Sequence, residues 1–256
     1  MVFPTPSEFD PEAPVRPNEF SGAPAGLGRR IGRLAVVDDP RRRAADLAAW
    51  APRYRGWRLA LKRAIDVVGS ALLGLLLLPV LLAAVVVVAV TEGRPVFYSQ
   101  DRVGRHGRTI SVRKIRTMEV DADARLRENS ELFGRYVQND YKLADDPRVT
   151  TVGRTLRRLS IDELPQLLNV FVGEMSIVGP RPVIPDELGS YGELAPGYLV
   201  VRPGLTGIWQ VSGRNEIAYP ERAYLDVAYA REWSLSLDAR ILAKTIPTAL
   251  SGKGVS

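Results

Sequence analysis

One stretch limits what this chain can be before any other residue is weighed. Val67 to Val90, VVGSALLGLLLLPVLLAAVVVVAV, runs for 24 residues without a charge. As a helix it would be about 36 Å long, against a hydrocarbon core of about 30 Å. A core helix of a soluble protein keeps a polar face, and this one has none. Its expected surroundings are lipid.

Whether the segment crosses is a separate question, and its flanks bear on it. Upstream lies a basic belt, with Arg41, Arg42, Arg43, Arg53, Arg55, Arg58, Lys62 and Arg63 interleaved with Trp50, Tyr54 and Trp57. Downstream stand Arg94, Arg102, Arg105 and Arg108. Basic flanks favour the cytoplasmic side, and a single span would put one of them on the wrong side. Pro79, near the middle, removes a backbone donor and kinks a helix. A helix that enters, bends at Leu78-Pro79 and returns to the same face satisfies both flanks. The alternative is a kinked single span, since proline is tolerated in membrane helices.

The belt of cations and aromatics also admits nucleic acid as a partner, but a lipid-length apolar run beside it has no role on DNA. The formal net charge of +6, from 35 Lys+Arg and 29 Asp+Glu, suits anionic partners such as a membrane surface or a phosphorylated substrate. No cysteine is present. Disulfides, thiolate metal ligands and a Cys nucleophile are therefore excluded, and a reducing compartment fits. The lone histidine, His106, sits in the polar turn VGRHGRT and reads as a solvated loop residue.

Residues 1–53 form a Pro-rich, then basic, segment expected to be disordered, because it has too little apolar area to offset its ordering entropy. It lacks the basic-then-apolar order of a signal peptide at its start. The membrane-inserted helix is expected over 54–92 and a catalytic domain over 93–256. In the latter, RPVFYSQDRVG and RTISVRKIRTM are expected strands joined through GRHG as a hairpin. Helices are expected over Asp121 to Val137 and Asp162 to Val172. EMSIVGPRPVIP reads as a strand entering a Pro-stiffened loop, and VRPGLTGIWQVSGRN as loop and strand. Tyr219 to Thr248 is expected as an amphipathic helix, whose apolar face could belong to the core or lie on the bilayer surface.

Two adjacent carboxylates, Asp162 and Glu163, open the apolar run in RRLSIDELPQLLNVF. Ser160 and Glu163 match a capping box, and acidic residues suit a first helical turn. Pro165 conflicts with that reading, because with Ser160 as N-cap it would fall beyond the residues whose N–H groups are unpaired anyway. A start at Ile161 or Asp162 is expected instead, with both carboxylates at the mouth of the helix. There the dipole and free N–H groups lower carboxylate pKa values and attract phosphate. Arg157 and Arg158 add to both effects. An ionised Asp in such a place can attack phosphorus, and its neighbour can hold a hard cation. Mg2+, which takes one or two carboxylates plus phosphate oxygens and water, is the metal these residue types suit best.

Other cations fit a pyrophosphate. Lys114 and Arg116 alternate along one strand face, Arg181 is stiffened between two prolines in GPRP, and Arg202 adjoins the Gly-rich turn of RPGLTG. A structural ion pair explains any one of them; together they favour phosphate.

The motifs FYSQDRVGRHGRTISVRKIRTM, RRLSIDELPQLLNVFVGEMSIVGPRP and RPGLTGIWQVSGRN resemble those of the bacterial sugar transferases, the monotopic polyprenyl-phosphate phosphoglycosyl transferases. The resemblance runs from about Tyr54 to Thr248. It implies an α+β, helix-rich monotopic membrane protein with a re-entrant Pro-kinked N-terminal helix, small β-hairpin elements and interfacial amphipathic helices. It implies transfer of a sugar 1-phosphate from a UDP-sugar to membrane polyprenyl (undecaprenyl) phosphate with release of UMP, the first membrane step of exopolysaccharide or glycoconjugate assembly. By the same likeness Asp162 is the nucleophile that carries the phosphosugar, and Glu163 binds Mg2+. Arg157 and Arg181 match arginines associated with phosphate, and Lys114 and Arg116 match a basic motif near the site. The family's membrane break commonly has Ser before the Pro, where this chain has Leu78. The expected place is the cytoplasmic face of a bacterial inner membrane, with further copies of the chain and downstream glycosyltransferases as candidate protein partners. The competing reading is a catalytically inactive membrane-anchored scaffold for glycan-assembly enzymes; the presence of Asp162, Glu163, Arg157 and Arg181 counts against it.

Overall fold

The computed structural model describes residues 56–139, 143, 145–212 and 221–251. The segment expected to be disordered, the belt as far as Arg55, and the 213–215 end of the last motif lie outside them.

Helix α1, Trp57–Thr91, is 35 residues long and contains Pro79 without interruption. Only 11% of its most apolar stretch is buried against the rest of the chain, so its leucines and valines face outward as a lipid-facing helix requires. The expected reversal at Leu78-Pro79 is thus not a break in the helix. What the structure does reveal is contact at both ends and exposure between them. Lys62, Asp66 and Ser70 are buried near the start and Ala84 and Val88 near the end. Leu72, Leu75 and Leu76 between them are 63–72% exposed. The two buried groups lie on one face, since their spacing is close to whole turns of 3.6 residues.

Each end meets a different part of one globular body. Near the start, Lys62 Nζ donates to Asp238 Oδ2 at 2.8 Å and to the Val178 carbonyl at 3.1 Å. Asp66 Oδ1 accepts from Ser176 Oγ and the Ile177 N–H, each at 3.0 Å. Near the end, Ala84 and Val88 form a small apolar cluster with Ile115 and Leu156, against which Leu81, Val152 and Ile161 also pack.

The body begins with the expected hairpin. Strand β1, Phe97–Val103, pairs antiparallel with β2, Thr109–Ile115, in register from Phe97↔Ile115 to Val103↔Thr109. The turn between them places His106 at φ 60, exposed. The helix expected over Asp121 to Val137 is two helices, α2 (Ala122–Glu128) and α3 (Ser130–Gln138). Asn129 divides them: its backbone is extended and its side chain caps α3 by accepting from Leu132 N–H at 3.0 Å. Helix α4, Thr151–Arg158, was not expected; Thr150 caps it through Gly153 N–H. After it come α5 (Gln166–Val172), β3 (Ser176–Val178), α6 (Pro185–Gly189), α7 (Ala195–Leu199), β4 (Gly204–Thr206) and α8 (Ile208–Ser212). Strands β3 and β4 pair in parallel.

The amphipathic segment near the C-terminus is also two helices, α9 (Glu221–Glu232) and α10 (Leu235–Ser251), separated at Trp233 and Ser234. Its apolar residues Val227, Trp233, Leu237 and Ile241 are core, packed with Ile177, Val201 and Trp209. Of the two options the core one is observed for these residues: α9 packs against α7 and α8, and α10 against α8 and the β3–β4 pair. Apolar side chains are instead exposed on α5, where Leu168, Phe171 and Val172 are 48–56% accessible beside α1.

Candidate active site

Asp162 and Glu163 lie in a 3-10 turn, Ile161–Glu163, between α4 and α5. Ser160 adopts a left-handed φ of 55° and makes no side-chain capping bond, so the capping box does not form. Pro165 takes the N-cap position of α5, which begins at Gln166 rather than at Ile161 or Asp162. Proline is at home there, because no N–H is required of it. The dyad thus precedes the helix instead of opening it.

Three elements bring cations to the pair. From β2, Lys114 Nζ bonds Glu163 Oε1 at 2.7 Å. From α4, Arg157 is held by its Nε donating to Thr117 Oγ1 at 2.9 Å, and its charge acts on Asp162. Arg181, from the loop after β3, acts on Glu163. Gly153 permits this closeness: a Cβ there would collide with the Thr117 carbonyl oxygen, so only glycine lets α4 approach the end of the hairpin.

The two carboxylates are pushed apart electrostatically. Asp162 is 5% exposed, and burial raises its pKa. Lys114 opposes that rise, the charge of Glu163 adds to it, and Arg157 opposes it again without cancelling it. Burial also pushes Glu163 upward, but Lys114 and Arg181, with hydrogen bonds from Lys114 and Gln166, hold it well below the usual carboxylate range. The expectation that both pKa values fall is therefore corrected for Asp162, because the turn buries it where a helix mouth would have left it solvated. One carboxylate is a fixed anion and the other is a desolvated, more basic one.

The other expected phosphate ligands are placed elsewhere. Arg158 is exposed and points about 100° around α4 from Arg157. Arg116 lies past the end of β2, is buried, and donates to the Glu92 and Gly93 carbonyls at 2.7 and 2.9 Å, closing the C-terminal end of α1. Arg202 donates through Nε to the Gly173 carbonyl at 2.9 Å. Arg63 joins it at the same helix end, donating to the Val170 and Phe171 carbonyls at 2.6 Å each. Both arginines satisfy the last carbonyls of α5, roughly 12 Å along the helix from the dyad.

Behind Arg181 is a partly open, water-sized pocket of about 10 Å³ that sequence reasoning missed, lined by Arg181, Glu187, Tyr191, Trp209, Arg222 and Asp226. Its sequence signal is a lone charge in a short apolar stretch, Asp226 in AYLDVAYA. For a metal, Glu163 is the fitting ligand: it is anionic and its side chain is 36% exposed. Among the described residues no three His, Cys, Asp or Glu side chains gather as a cage. The donor set suits a cation that takes its remaining ligands from phosphate and water.

The family model described as Bacterial sugar transferase matches residues 57–252. The exopolysaccharide production protein ExoY of Sinorhizobium fredii is 46% identical over 197 residues, covering 75% of this chain and 87% of that protein. The undecaprenyl-phosphate galactose phosphotransferase of Salmonella typhimurium is 42% identical over 197 residues, 76% of this chain but 41% of the longer relative. The UDP-glucose:undecaprenyl-phosphate glucose-1-phosphate transferase of Escherichia coli is 41% identical over 194 residues, 73% of this chain and 39% of that protein.

Proposed function

Because the chain belongs to the bacterial sugar transferase family, we propose that it moves a sugar 1-phosphate from a UDP-sugar to a membrane polyprenyl phosphate, releasing UMP, in exopolysaccharide or glycoconjugate assembly. The observation that carries this reading is the convergence of Lys114, Arg157 and Arg181 on a buried Asp162 and an ionised Glu163.

Asp162 is the nucleophile. A carboxylate oxygen attacks the phosphorus that bears the sugar, an aspartyl-phosphosugar bond forms, and the bond to the UMP oxygen breaks with its electron pair leaving on UMP. An oxygen of the polyprenyl phosphate then attacks the same phosphorus, and Asp162 departs as a free carboxylate. Two displacements let one small site serve two bulky substrates in turn. Burial makes Asp162 a better nucleophile than a solvated aspartate, while Lys114 and Arg157 keep its anion accessible. Arg181 and Arg157 flank the phosphates and offset charge as it builds on the equatorial oxygens. Glu163 would hold Mg2+, which when bound neutralises diphosphate charge.

The acceptor is a lipid, so the site must stand at headgroup depth. This reading places the body on the cytoplasmic face of the inner membrane, with α1, one unbroken helix that touches the body along a single face, inserted from that side. The apolar face of α5 continues the lipid-facing surface of α1, and the dyad precedes that helix directly.

The test uses the purified chain in detergent or nanodiscs with UDP-sugars, polyprenyl phosphate and Mg2+. UMP is expected to appear, and with donor alone a phosphosugar adduct should be found by mass spectrometry on Asp162. Full activity of Asp162→Asn would end the mechanism.

A further inference from the structure

Arg181 faces two ways. On one side its charge acts on Glu163. On the other its guanidinium carbon lies 5.9 Å from the centre of the Trp209 ring, and that of Arg222 lies 5.1 Å from the same ring. A third guanidinium, that of Arg102 on β1, is near enough for Arg181 to oppose its charge. Three like charges in one buried neighbourhood repel one another, and Arg181 is carried on a loop rather than on a helix or strand.

Two carboxylates answer them. Glu187 takes Arg102, Oε2 to Nη1 at 3.3 Å. Asp226, 1% exposed, faces Arg181 and Arg222 and lines the cavity they share with Trp209. Its Oδ2 accepts from the Tyr191 hydroxyl at 2.7 Å. Its Oδ1, also buried, accepts no hydrogen bond among the described residues.

Resting on the proposed phosphosugar transfer, we infer that Asp226 is a positioning residue for the donor: its ionised carboxylate braces Arg181 and Arg222 around Trp209, so that Arg181 presents its guanidinium to the diphosphate. The brace depends on a proton. Burial pushes the Asp226 carboxyl up to about 7; the Tyr191 hydrogen bond, Arg222 and Arg181 oppose that rise, and Glu187 adds to it. Tyr198 of α7 is the other titratable group that feels Asp226. The brace is therefore present above this pH and lost as pH falls through it.

The experiment measures donor KM and kcat for UMP release against pH, with polyprenyl phosphate saturating, in the wild-type chain and in Asp226→Asn and Tyr191→Phe. Wild-type donor KM should rise roughly tenfold as pH falls through this value, the scale of one charge-assisted contact, with kcat changing less. Asp226→Asn should show the raised KM at every pH and no such limb. Tyr191→Phe removes a hydrogen bond to the ionised form, so its limb should move to higher pH; this variant carries the test if the first does not fold. A wild-type KM profile in Asp226→Asn, or an unmoved limb in Tyr191→Phe, would overturn the inference. A wild-type chain that releases no UMP at any pH would instead defeat the proposed function.

Discussion

The ammonium of Lys114 stands 2.7 Å from Glu163 Oε1, one strand residue locking one carboxylate of the pair as an anion. Lys114→Met removes that partner and part of the charge that holds Asp162 ionisable. The expected result is a loss of about 10²-fold or more in kcat/KM for UMP release, with the remaining activity falling away at mildly acidic pH as Glu163 regains a more ordinary pKa. Lys114→Arg should recover part of the loss. An unchanged pH profile in Lys114→Met would show that the pair does not set the charge of Glu163.

Burial raises the pKa of Asp162, so the folded chain holds this proton more tightly than the unfolded one. Folding is then favoured below the folded pKa of Asp162, and that contribution is lost as pH rises through it. Asp162→Asn should accordingly melt at a higher temperature than wild type at neutral pH, while forming no adduct. The difference should shrink as pH is lowered and the wild-type carboxyl becomes neutral. Thermal melts in one detergent across pH check this; a variant less stable than wild type at neutral pH contradicts it.

Lys62 and Asp238 form a buried pair, their side chains 3% and 11% exposed. Asp238 also accepts from Tyr229 and Trp233, so Lys62→Met leaves a carboxylate buried with neutral donors alone. The cost of such a broken pair is about 3–5 kcal/mol. Denaturation of Lys62→Met should begin at a markedly lower temperature, with α1 becoming protease-sensitive first. The double variant Lys62→Met with Asp238→Asn should recover part of the loss.

The absence of cysteine makes topology directly measurable. Single cysteines at Ser21 and Ser99, on either side of α1, should react with an impermeant maleimide in inverted membrane vesicles and be protected together in spheroplasts. Labelling from opposite sides would establish a crossing helix.

Local elements are legible in the sequence. The hairpin was legible because two alternating strands flank a Gly-bounded turn, and the apolar helix because its length admits few environments. What escaped depended on distance in space. Arg116 follows Lys114 in a pattern of two, yet β2 ends at Ile115 and the next side chain turns to the end of α1. Arg202 sits beside a glycine turn that suggests phosphate, but its partner is the spent end of α5. The helical period of residues 121–137 and 219–248 runs on across Asn129 and Trp233, where capping and packing stop the helices. Asp226 was hidden because a carboxylate within a short apolar stretch gains meaning only once Tyr191, Arg222 and Arg181 are brought around it.

Helix α1 holds the reactive segment at two points, through Ile161 just before the dyad and through the Val170 and Phe171 carbonyls at the far end of α5. Immersion depth and reaction geometry are therefore one mechanical variable. Turnover should then vary with the acyl-chain length of the host bilayer even when both substrates are saturating, because a thicker or thinner leaflet lifts or sinks the carboxylate relative to the acceptor's phosphate.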